Sequence, residues 1–204
     1  MLFYVKENEA EVIVMEQLKQ RILQESAIVS NDILRLDSII NQQVDPSLIM
    51  EIGKELAARF KNEGVTKVLT IESSGIPAAL AAALELNVPL VFARRKQTVI
   101  NDPDSYVERV PSFTKGMVSD LVISKQFLNS DDRILFIDDI IANGDGARGL
   151  VKIIQQAGAE LVGMGIVVEK SFQAGANYFR EQGYRVESLV KIASLESGKI
   201  VFKD

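Results

Sequence analysis

The stretch Arg133-Ile134-Leu135-Phe136-Ile137-Asp138-Asp139-Ile140-Ile141-Ala142-Asn143-Gly144-Asp145-Gly146 determines the fold that we expect for this chain. Its apolar run, residues 134–137, is too hydrophobic for an edge strand and predicts a central strand of a sheet. Asp138 and Asp139 follow at the strand end, where they cannot both be buried without partners. The loop 142–146 is small, polar and glycine-rich, so its backbone can approach a ligand closely. Because the amides that open the next helix can bind an anion, the stretch predicts a grip on a sugar and its phosphate.

Strands alternate with helices along the rest of the chain. Apolar spacing predicts helices over residues 15–25, 45–62, 76–86, 146–157 and 175–182. It predicts strands over residues 68–71, 88–93, 118–124, 134–137, 161–168, 186–192 and 199–202. Asp45 and Pro46 are the expected cap and first residue of their helix, and residues 26–44 are expected to be irregular. This alternation predicts an α/β fold with a mainly parallel central sheet flanked by helices.

Polar segments follow three of the predicted strands, at residues 72–75, 94–96 and 138–146. Ligands of parallel sheets bind beyond the carboxyl ends of the strands, so we expect these segments to lie at one edge. Each has a simpler interpretation. A serine of 72–75 could only cap the following helix, Arg94-Arg95-Lys96 could be a solvated basic cluster, and 138–146 could be an ordinary strand-loop-helix connection.

Composition limits the possible functions. The chain has 204 residues, which fits one domain, and its net charge of −5 argues against broad binding to nucleic acid or anionic membranes. It contains no His, which excludes a Ser-His-Asp or Cys-His triad, and no Cys, which excludes a disulfide-stapled scaffold. No apolar run approaches the length of a membrane span, and we expect a cytoplasmic protein.

A dinucleotide fingerprint also occurs in the chain. Residues 144–149 match G-x-G-x-x-G, and Glu169 ends the next predicted strand. We reject this interpretation because residues 138–143 separate the glycines from the strand, and because Asp138 and Asp139 would repel a pyrophosphate. The segment also lies late in the chain, with no second βαβαβ half after it.

The acidic stretch and three other segments resemble the type I phosphoribosyltransferases. The matching segments are Ile137-Asp138-Asp139-Ile140-Ile141-Ala142-Asn143-Gly144, Thr70-Ile71-Glu72-Ser73-Ser74-Gly75-Ile76, Val91-Phe92-Ala93-Arg94-Arg95-Lys96 and Glu169-Lys170-Ser171-Phe172-Gln173. Together with Leu34, Asn41 and the tail 183–189, they are most similar to the members of that family that act on xanthine. The resemblance covers roughly residues 15–202.

The resemblance implies a fold, a reaction and partners. The fold would be that of the type I phosphoribosyltransferases, with residues 15–204 as one domain, a small hood from about 15–45 and 170–204, and a flexible lid hairpin at 97–116. Residues 1–14 would be an extension without an evident role. The reaction would transfer the phosphoribosyl group of phosphoribosyl pyrophosphate to xanthine for purine salvage. It would require Mg²⁺ bound mainly through substrate, in a homodimer.

The resemblance also assigns site residues. Asp138 and Asp139 would be catalytic and hold the ribose side, with no protein residue assigned as a metal ligand. Phosphoribosyl pyrophosphate would contact Ala142, Asn143, Gly144, Asp145, Gly146, Ser73, Ser74, Gly75, Arg94 and Lys96. Xanthine would contact Leu34, Asn41, Lys170 and Phe172. Turn 72–75 often contains a strained or cis peptide in this family.

Several alternatives stay open at the level of sequence. The same fold could act on guanine, hypoxanthine, adenine or orotate, or could bind phosphoribosyl pyrophosphate as a regulator without catalysis. Such a regulator needs a DNA-binding module, for which residues 1–45 are too short and too acidic. Lys170 could pair with Glu169 at the surface, Asn41 could cap a helix and Leu34 could belong to the core.

Overall fold

The computed structural model of the chain describes residues 2–96, 102–112 and 117–203, with side chains from residue 14 onward apart from 112 and 117. The helices are α1 (Leu2–Glu25), α2 (Pro46–Phe60), α3 (Ile76–Leu86), α4 (Asp145–Ala157) and α5 (Gly175–Glu181). The strands are β1 (Ala27–Ser30), β2 (Ile33–Arg35), β3 (Lys67–Ile71), β4 (Leu90–Lys96), β5 (Ser105–Ser112), β6 (Met117–Ser124), β7 (Arg133–Ile141), β8 (Glu160–Lys170), β9 (Val186–Ser194) and β10 (Val201–Lys203).

Strand β7 lies in the interior of the larger sheet, as its apolar run predicts. Within the described residues the strand order is β10-β9-β8-β7-β3-β4-β6-β5. Strands β9, β8, β7, β3 and β4 run parallel, whereas the pairs β10–β9, β4–β6 and β6–β5 are antiparallel. The predicted α/β fold with a mainly parallel central sheet is therefore confirmed. Strands β1 and β2 form a separate antiparallel pair.

The sheet separates two apolar cores. Leu18 of α1 and Ile52 of α2 belong to the first core, which also contains the buried alanines of α3. Leu150 of α4 belongs to the second, together with side chains of α5 and of the β5–β6 hairpin. Because strand side chains alternate, Ile137 of β7 packs into the first core and Phe136 into the second. Both faces of the strand are thus covered, which positions its polar end firmly.

The start of α2 follows from local chemistry. The Asp45 carboxylate accepts hydrogen bonds from the amides of Ser47 and Leu48, at 3.0 and 3.2 Å, and Pro46 is the first helical residue. This confirms the predicted cap, which supplies acceptors for amides that have no partner within the helix.

The amino-terminal region is more regular than predicted. Helix α1 begins at Leu2 rather than near Met15, so residues 2–14 of the predicted extension are helical. That the extension has no role in function stays a prediction. The irregular segment expected at 26–44 is wrong in part, since it contains the β1–β2 pair and a π-helical turn at Asp37–Asn41. Burial of Leu34 in the first core stabilises this hairpin. Such tertiary packing leaves little local sequence pattern.

Two strands continue through polar residues at which we expected them to end. Strand β7 runs through Asp138 and Asp139 to Ile141, because β8 pairs with it along this length. Strand β4 runs to Lys96, because β6 pairs with residues 94–96. The basic segment is therefore a strand with alternating faces and not a turn.

The predicted hairpin after β4 is confirmed where the structure describes it, since β5 pairs with β6 from Ser105 and Ser124 to Ser112 and Met117. Residues 97–101 and 113–116 of the predicted lid lie outside the described residues. No helix in the described part of the chain is long and apolar enough to cross a membrane.

Candidate active site

The acidic pair lies inside β7 and points in two directions. Asp138 is partly exposed in a cleft, whereas only 9% of Asp139 is exposed. The amide of Asp139 donates to Oδ1 of Asp138 at 3.1 Å, and Ser74 lies close enough to the Asp139 carboxyl group to act on its pKa. The pair therefore connects the strand end to the turn 72–75, as the sequence predicted for segments at one edge of the sheet.

Burial changes the titration of this pair. Burial raises the pKa of Asp138 well above its usual range, and the neighbouring charge of Asp139 raises it further. Burial also raises the pKa of Asp139, although hydrogen bonds with Asp138 and Ser74 act against it. The pair keeps a proton at a pH at which an exposed aspartate has lost it. Its oxygens can therefore both donate and accept hydrogen bonds with sugar hydroxyls.

The loop 142–146 forms the floor of a cleft of about 260 Å³ that Asp138 also lines. Gly144 has a φ of 81°, the left-handed conformation that favours glycine. The first helical hydrogen bond runs from the amide of Arg148 to the carbonyl of Gly144 at 2.8 Å. The amides of residues 145–147 lie before that bond, at the amino-terminal end of α4, where helices can bind anions.

Side chains and helix α5 hold this loop in place. The Arg148 guanidinium donates to the carbonyl of Asn143 at 2.8 Å and pairs with the carboxylate of Asp145. This pair offsets the one negative charge that would oppose an anion at the helix start. The amide of Gly175 donates to the carbonyl of Ala142 at 3.0 Å, and a Cβ on Gly175 would lie 2.4 Å from that oxygen. Only glycine permits this contact between α5 and the loop.

The turn 72–75 faces the acidic pair from the end of β3. The peptide between Glu72 and Ser73 is cis, as the family resemblance predicts for this turn. The Glu72 carboxylate accepts from the Arg94 guanidinium at 2.9 Å and from the amide of Arg95 at 2.6 Å. Within the described residues, backbone hydrogen bonding leaves the amides of 73–75 without a carbonyl partner. These amides are available to an anion.

The simpler interpretation of this turn is wrong. The N-cap of α3 is Gly75 and makes no side-chain capping bond, so neither Ser73 nor Ser74 caps the helix. A Cβ on Gly75 would lie 2.2 Å from Oγ1 of Thr70 and 2.7 Å from Oδ1 of Asp138. The glycine is therefore required for the turn to pack against the acidic pair.

The basic cluster is split between two faces of β4. Arg95 lines the cleft with Asp138, and one of its guanidinium nitrogens is 3.2 Å from where a Cβ on Gly146 would stand. Arg94 and Lys96 instead line a second cavity, of about 380 Å³, with Phe92. The structure thus brings Arg95 to the acidic cleft of its own chain and does not bring Arg94 or Lys96 there.

Two of the predicted base contacts, Lys170 and Leu34, are associated with the β1–β2 hairpin. Lys170 is only 7% exposed, and its Nζ donates to the backbone carbonyl of Asp32 at 2.7 Å. Burial lowers the pKa of Lys170, and the Asp32 carboxylate opposes that shift. Leu34 is buried in the first core, so the structure gives it the core environment that the sequence left as an alternative. Both residues belong to or contact the β1–β2 hairpin.

The other two predicted base contacts have separate environments. The Asn41 amide donates to the Asp37 carboxylate at 3.0 Å within the π-helical turn. Phe172 is 37% exposed in the turn after β8, where its ring is accessible to a flat ligand.

The expected alternative of a Lys170–Glu169 surface pair is wrong, because Glu169 is buried and bound elsewhere. Its carboxylate accepts from Arg180 of α5 at 2.6 and 3.1 Å. Ser171 and Ser188 also donate to it, at 2.7 and 2.6 Å. These bonds outweigh burial and lower the pKa of Glu169 to about 2. The network links the end of β8 to α5, and the first residue of α5, Gly175, contacts the loop 142–146.

Sequence reasoning left two residues of this site without a role of their own. In the sequence Arg95 is one member of a basic cluster, and only the alternation of a longer β4 distinguishes it from Arg94. Thr70 is fully buried beside Gly75, and no sequence pattern distinguishes its hydroxyl from that of a core threonine.

Comparisons with known proteins agree with this geometry. Residues 42–190 match the family model described as phosphoribosyl transferase domain. A curated protein of Moorella thermoacetica, named xanthine phosphoribosyltransferase, is 52% identical over 189 residues, covering 93% of this chain and 96% of the relative. A protein of the same name from Acinetobacter baylyi is 50% identical over 188 residues, covering 92% and 98%.

Solved structures support the same fold. Adenine phosphoribosyltransferase from Rhodothermus marinus superposes with a TM-score of 0.70 at 21% identity, covering 89% of this chain and 99% of that one. The Saccharomyces cerevisiae adenine enzyme, solved with an imino-altritol bisphosphate and adenine, gives 0.70 at 22% identity and covers 87% and 99%.

Proposed function

Because the chain belongs to the phosphoribosyltransferase family, we propose that it transfers the 5-phosphoribosyl group of phosphoribosyl pyrophosphate to xanthine. The products are xanthosine 5′-monophosphate and pyrophosphate, and the reaction serves purine salvage. The observation that carries this proposal is the cleft in which Asp138 meets the amides at the start of α4 and the guanidinium of Arg95. The curated relatives support xanthine as the base.

Each end of phosphoribosyl pyrophosphate has a matching part of the site. The 5′-phosphate binds the amides of residues 142–146 at the start of α4. The ribose hydroxyls bind the carboxyl groups of Asp138 and Asp139. The pyrophosphate binds the amides and hydroxyls of 73–75 together with Arg95, whose positive charge faces the same cleft.

The reaction breaks the bond between C1 of the ribose and the pyrophosphate oxygen, and forms a bond from that carbon to a ring nitrogen of xanthine, which loses its proton. The sugar is oxocarbenium-like during the exchange, so positioning and stabilisation of leaving-group charge do most of the work. Asp138 and Asp139 orient the sugar, while Arg95 and the backbone amides bind the charge that develops on pyrophosphate. This chemistry needs no histidine, and the chain contains none.

The carboxylates of the site suit magnesium. Asp138 and Asp139 offer oxygen ligands, the class that Mg²⁺ prefers, and the described residues contain no group of three or more Asp, Glu, His or Cys side chains placed to hold a metal ion by themselves. Mg²⁺ keeps several waters, so we propose that it would bind mainly through the pyrophosphate, and that Asp138 and Asp139 would offer oxygens to it or to its waters. Bound there, it would neutralise part of the leaving-group charge.

Recognition of the base rests on the buried Lys170. Xanthine carries one more carbonyl than hypoxanthine and is more acidic, so a buried ammonium can donate to its oxygen or its anionic ring. Lys170 has spare donors, since its one hydrogen bond to the described residues is to the Asp32 carbonyl. Leu34 supplies an apolar wall, Asn41 a paired donor and acceptor, and Phe172 a stacking surface.

We also propose that two copies of the chain associate through the outer face of β4 and α3. Leu80 and Leu84 of α3 are 49% and 61% exposed, and Leu90 connects them to the second cavity. Arg94 and Lys96 line that cavity, so association would bring them toward the second copy. Their role in binding pyrophosphate across this interface, the hood boundaries and the cytoplasmic location stay predictions.

A base panel tests the proposed function. Purified protein is incubated with phosphoribosyl pyrophosphate, Mg²⁺ and one of xanthine, guanine, hypoxanthine, adenine or orotate, while nucleotide and pyrophosphate are measured. We expect turnover to be fastest with xanthine. Faster turnover with another base would overturn only the choice of base, whereas binding of phosphoribosyl pyrophosphate without turnover of any base would indicate a regulator.

A further inference from the structure

Thr70 has a buried hydroxyl with no hydrogen-bond partner. It lies on β3 with 0% exposure, and its Oγ1 is one of only two buried side-chain atoms left unpaired in the described residues. Leaving such a group unpaired costs free energy, and natural folds rarely keep one without a reason. The position of this hydroxyl suggests the reason.

The hydroxyl lies against the acidic pair. Oγ1 of Thr70 and Oδ1 of Asp138 flank one point next to the α-carbon of Gly75, at 2.2 and 2.7 Å from where a Cβ would stand. Because Gly75 has no side chain, nothing of that residue separates the two oxygens. The pairing between β3 and β7 ends at Leu69 and Phe136, one residue before Thr70. The hydroxyl therefore sits where the two strands diverge toward the cleft.

We propose that Thr70 is a positioning residue, whose hydroxyl donates a hydrogen bond to the Asp138 carboxylate when phosphoribosyl pyrophosphate binds. The inference rests on the proposed function. A buried carboxyl group that accepts hydrogen bonds from ribose hydroxyls is oriented by additional donors in the protein. Thr70 is a donor beside it with no other partner. The bond forms only in the loaded state, so it favours substrate binding without stabilising the unloaded enzyme.

This role predicts opposite effects on stability and binding. Thr70→Val keeps the shape of the side chain and removes the unpaired hydroxyl. We expect the Tm of the unloaded Val variant to equal or exceed that of the parent, because an unsatisfied polar group has left the interior. We expect its affinity for phosphoribosyl pyrophosphate with Mg²⁺ to fall about tenfold, the size expected for one hydrogen bond to a charged group. The KM for xanthine should not change, because Lys170 lies at another strand end.

The experiment is calorimetric titration of the parent, Thr70→Val and Thr70→Ser with phosphoribosyl pyrophosphate and Mg²⁺ at one neutral pH, together with the Tm of each protein. The Ser variant should bind like the parent, and the Val variant should bind about tenfold more weakly with an unchanged or higher Tm. Parent-like binding by the Val variant would overturn the proposal, as would a parallel loss of Tm and binding that Ser does not restore. If the parent itself did not bind phosphoribosyl pyrophosphate, the proposed function would fail instead.

Discussion

The side chain of Lys170 and the backbone of Asp32 are joined by a hydrogen bond of 2.7 Å, from Nζ to the carbonyl oxygen. The bond links the end of β8 to the turn between β1 and β2, residues far apart in the chain. A base that binds Lys170 would therefore also contact the neighbourhood of the hairpin. We expect base recognition and the position of the hairpin to depend on one another.

Lys170→Met should selectively impair use of the base. The variant keeps the length of the side chain and removes the ammonium group, so kcat/KM for xanthine should fall about 10- to 100-fold, as for a lost charged hydrogen bond. The KM for phosphoribosyl pyrophosphate should stay within about twofold of the parent. The matched control is Lys152→Met, whose ammonium pairs with Glu108 at the surface. Equal effects on both substrates would argue against direct contact with the base.

Arg95→Gln should raise the KM for phosphoribosyl pyrophosphate, because its guanidinium faces the cleft beside Gly146 and Asp138. We expect kcat/KM to fall by a factor that corresponds to about 1.5–3 kcal/mol, the contribution of one hydrogen bond to a charged group. Arg94→Gln is the comparison, since Arg94 lies on the opposite face of β4 and pairs with Glu72. A similar loss in Arg94→Gln would indicate that the second copy contributes to the site. A parent-like KM in Arg95→Gln would contradict its assignment.

Asp138→Asn should abolish turnover and stabilise the unloaded protein at neutral pH. The pKa of Asp138 is raised in the fold, so its carboxyl group favours folding below its usual pKa of 3.8, and this contribution is lost as the pH rises through the folded value. The amide variant avoids that loss. We expect a higher Tm at pH 7.5, at about 2–4 °C per kcal/mol, and a difference that disappears near pH 3.5.

Asp132→Asn is the control for this experiment. Asp132 is also buried, but its carboxylate pairs with Lys67 at 2.7 Å, so its loss should lower the Tm at neutral pH. A lower Tm in both variants would contradict the sign predicted for Asp138.

We further expect Asp138→Ala combined with Asp139→Ala to fold normally without activity.

Glu169→Gln should make the free energy of unfolding less sensitive to acidic pH. The pKa of Glu169 is lowered to about 2 from 4.5, so its stabilising contribution is present above pH 4.5 and is lost as the pH falls toward 2. At pH 7 the variant should lose about 3 kcal/mol in the free energy of unfolding, because Arg180 loses its buried partner. Urea unfolding at pH 7, 4 and 2.5 should show the two proteins converging. Glu160→Gln, at an exposed pair with Arg133, should change little.

Leu84→Asp should separate the two proposed copies. The side chain is 61% exposed on α3, so a charge there leaves the single chain folded but cannot be buried against a partner. Sedimentation velocity should show half the mass of the parent. Leu23→Asp, at a leucine that is 57% exposed on α1, should keep the parent mass. A monomeric parent, or a dimer that survives Leu84→Asp, would contradict the proposed interface.

The sequence was most informative where structure depends on neighbouring residues. The cap at Asp45, the central position of β7 and the glycine at 144 follow from local chemistry, and the structure has all three. The length of β4 depends on pairing with β6, so the face of Arg95 could not be predicted before that pairing was known. The Lys170–Asp32 bond joins segments that only the fold brings together.

The division of the interior by the sheet gives this protein a modular design. Leu34 of the β1–β2 hairpin is anchored in one core, whereas α4, which follows the loop 142–146, is anchored in the other. A designer could replace the β1–β2 hairpin while leaving the packing of α4 intact, because the buried Leu34 of the hairpin lies in the other core. Variants with a new base preference are therefore best sought among substitutions in the β1–β2 hairpin and the first core. Such substitutions leave the loop 142–146 and helix α4 unchanged.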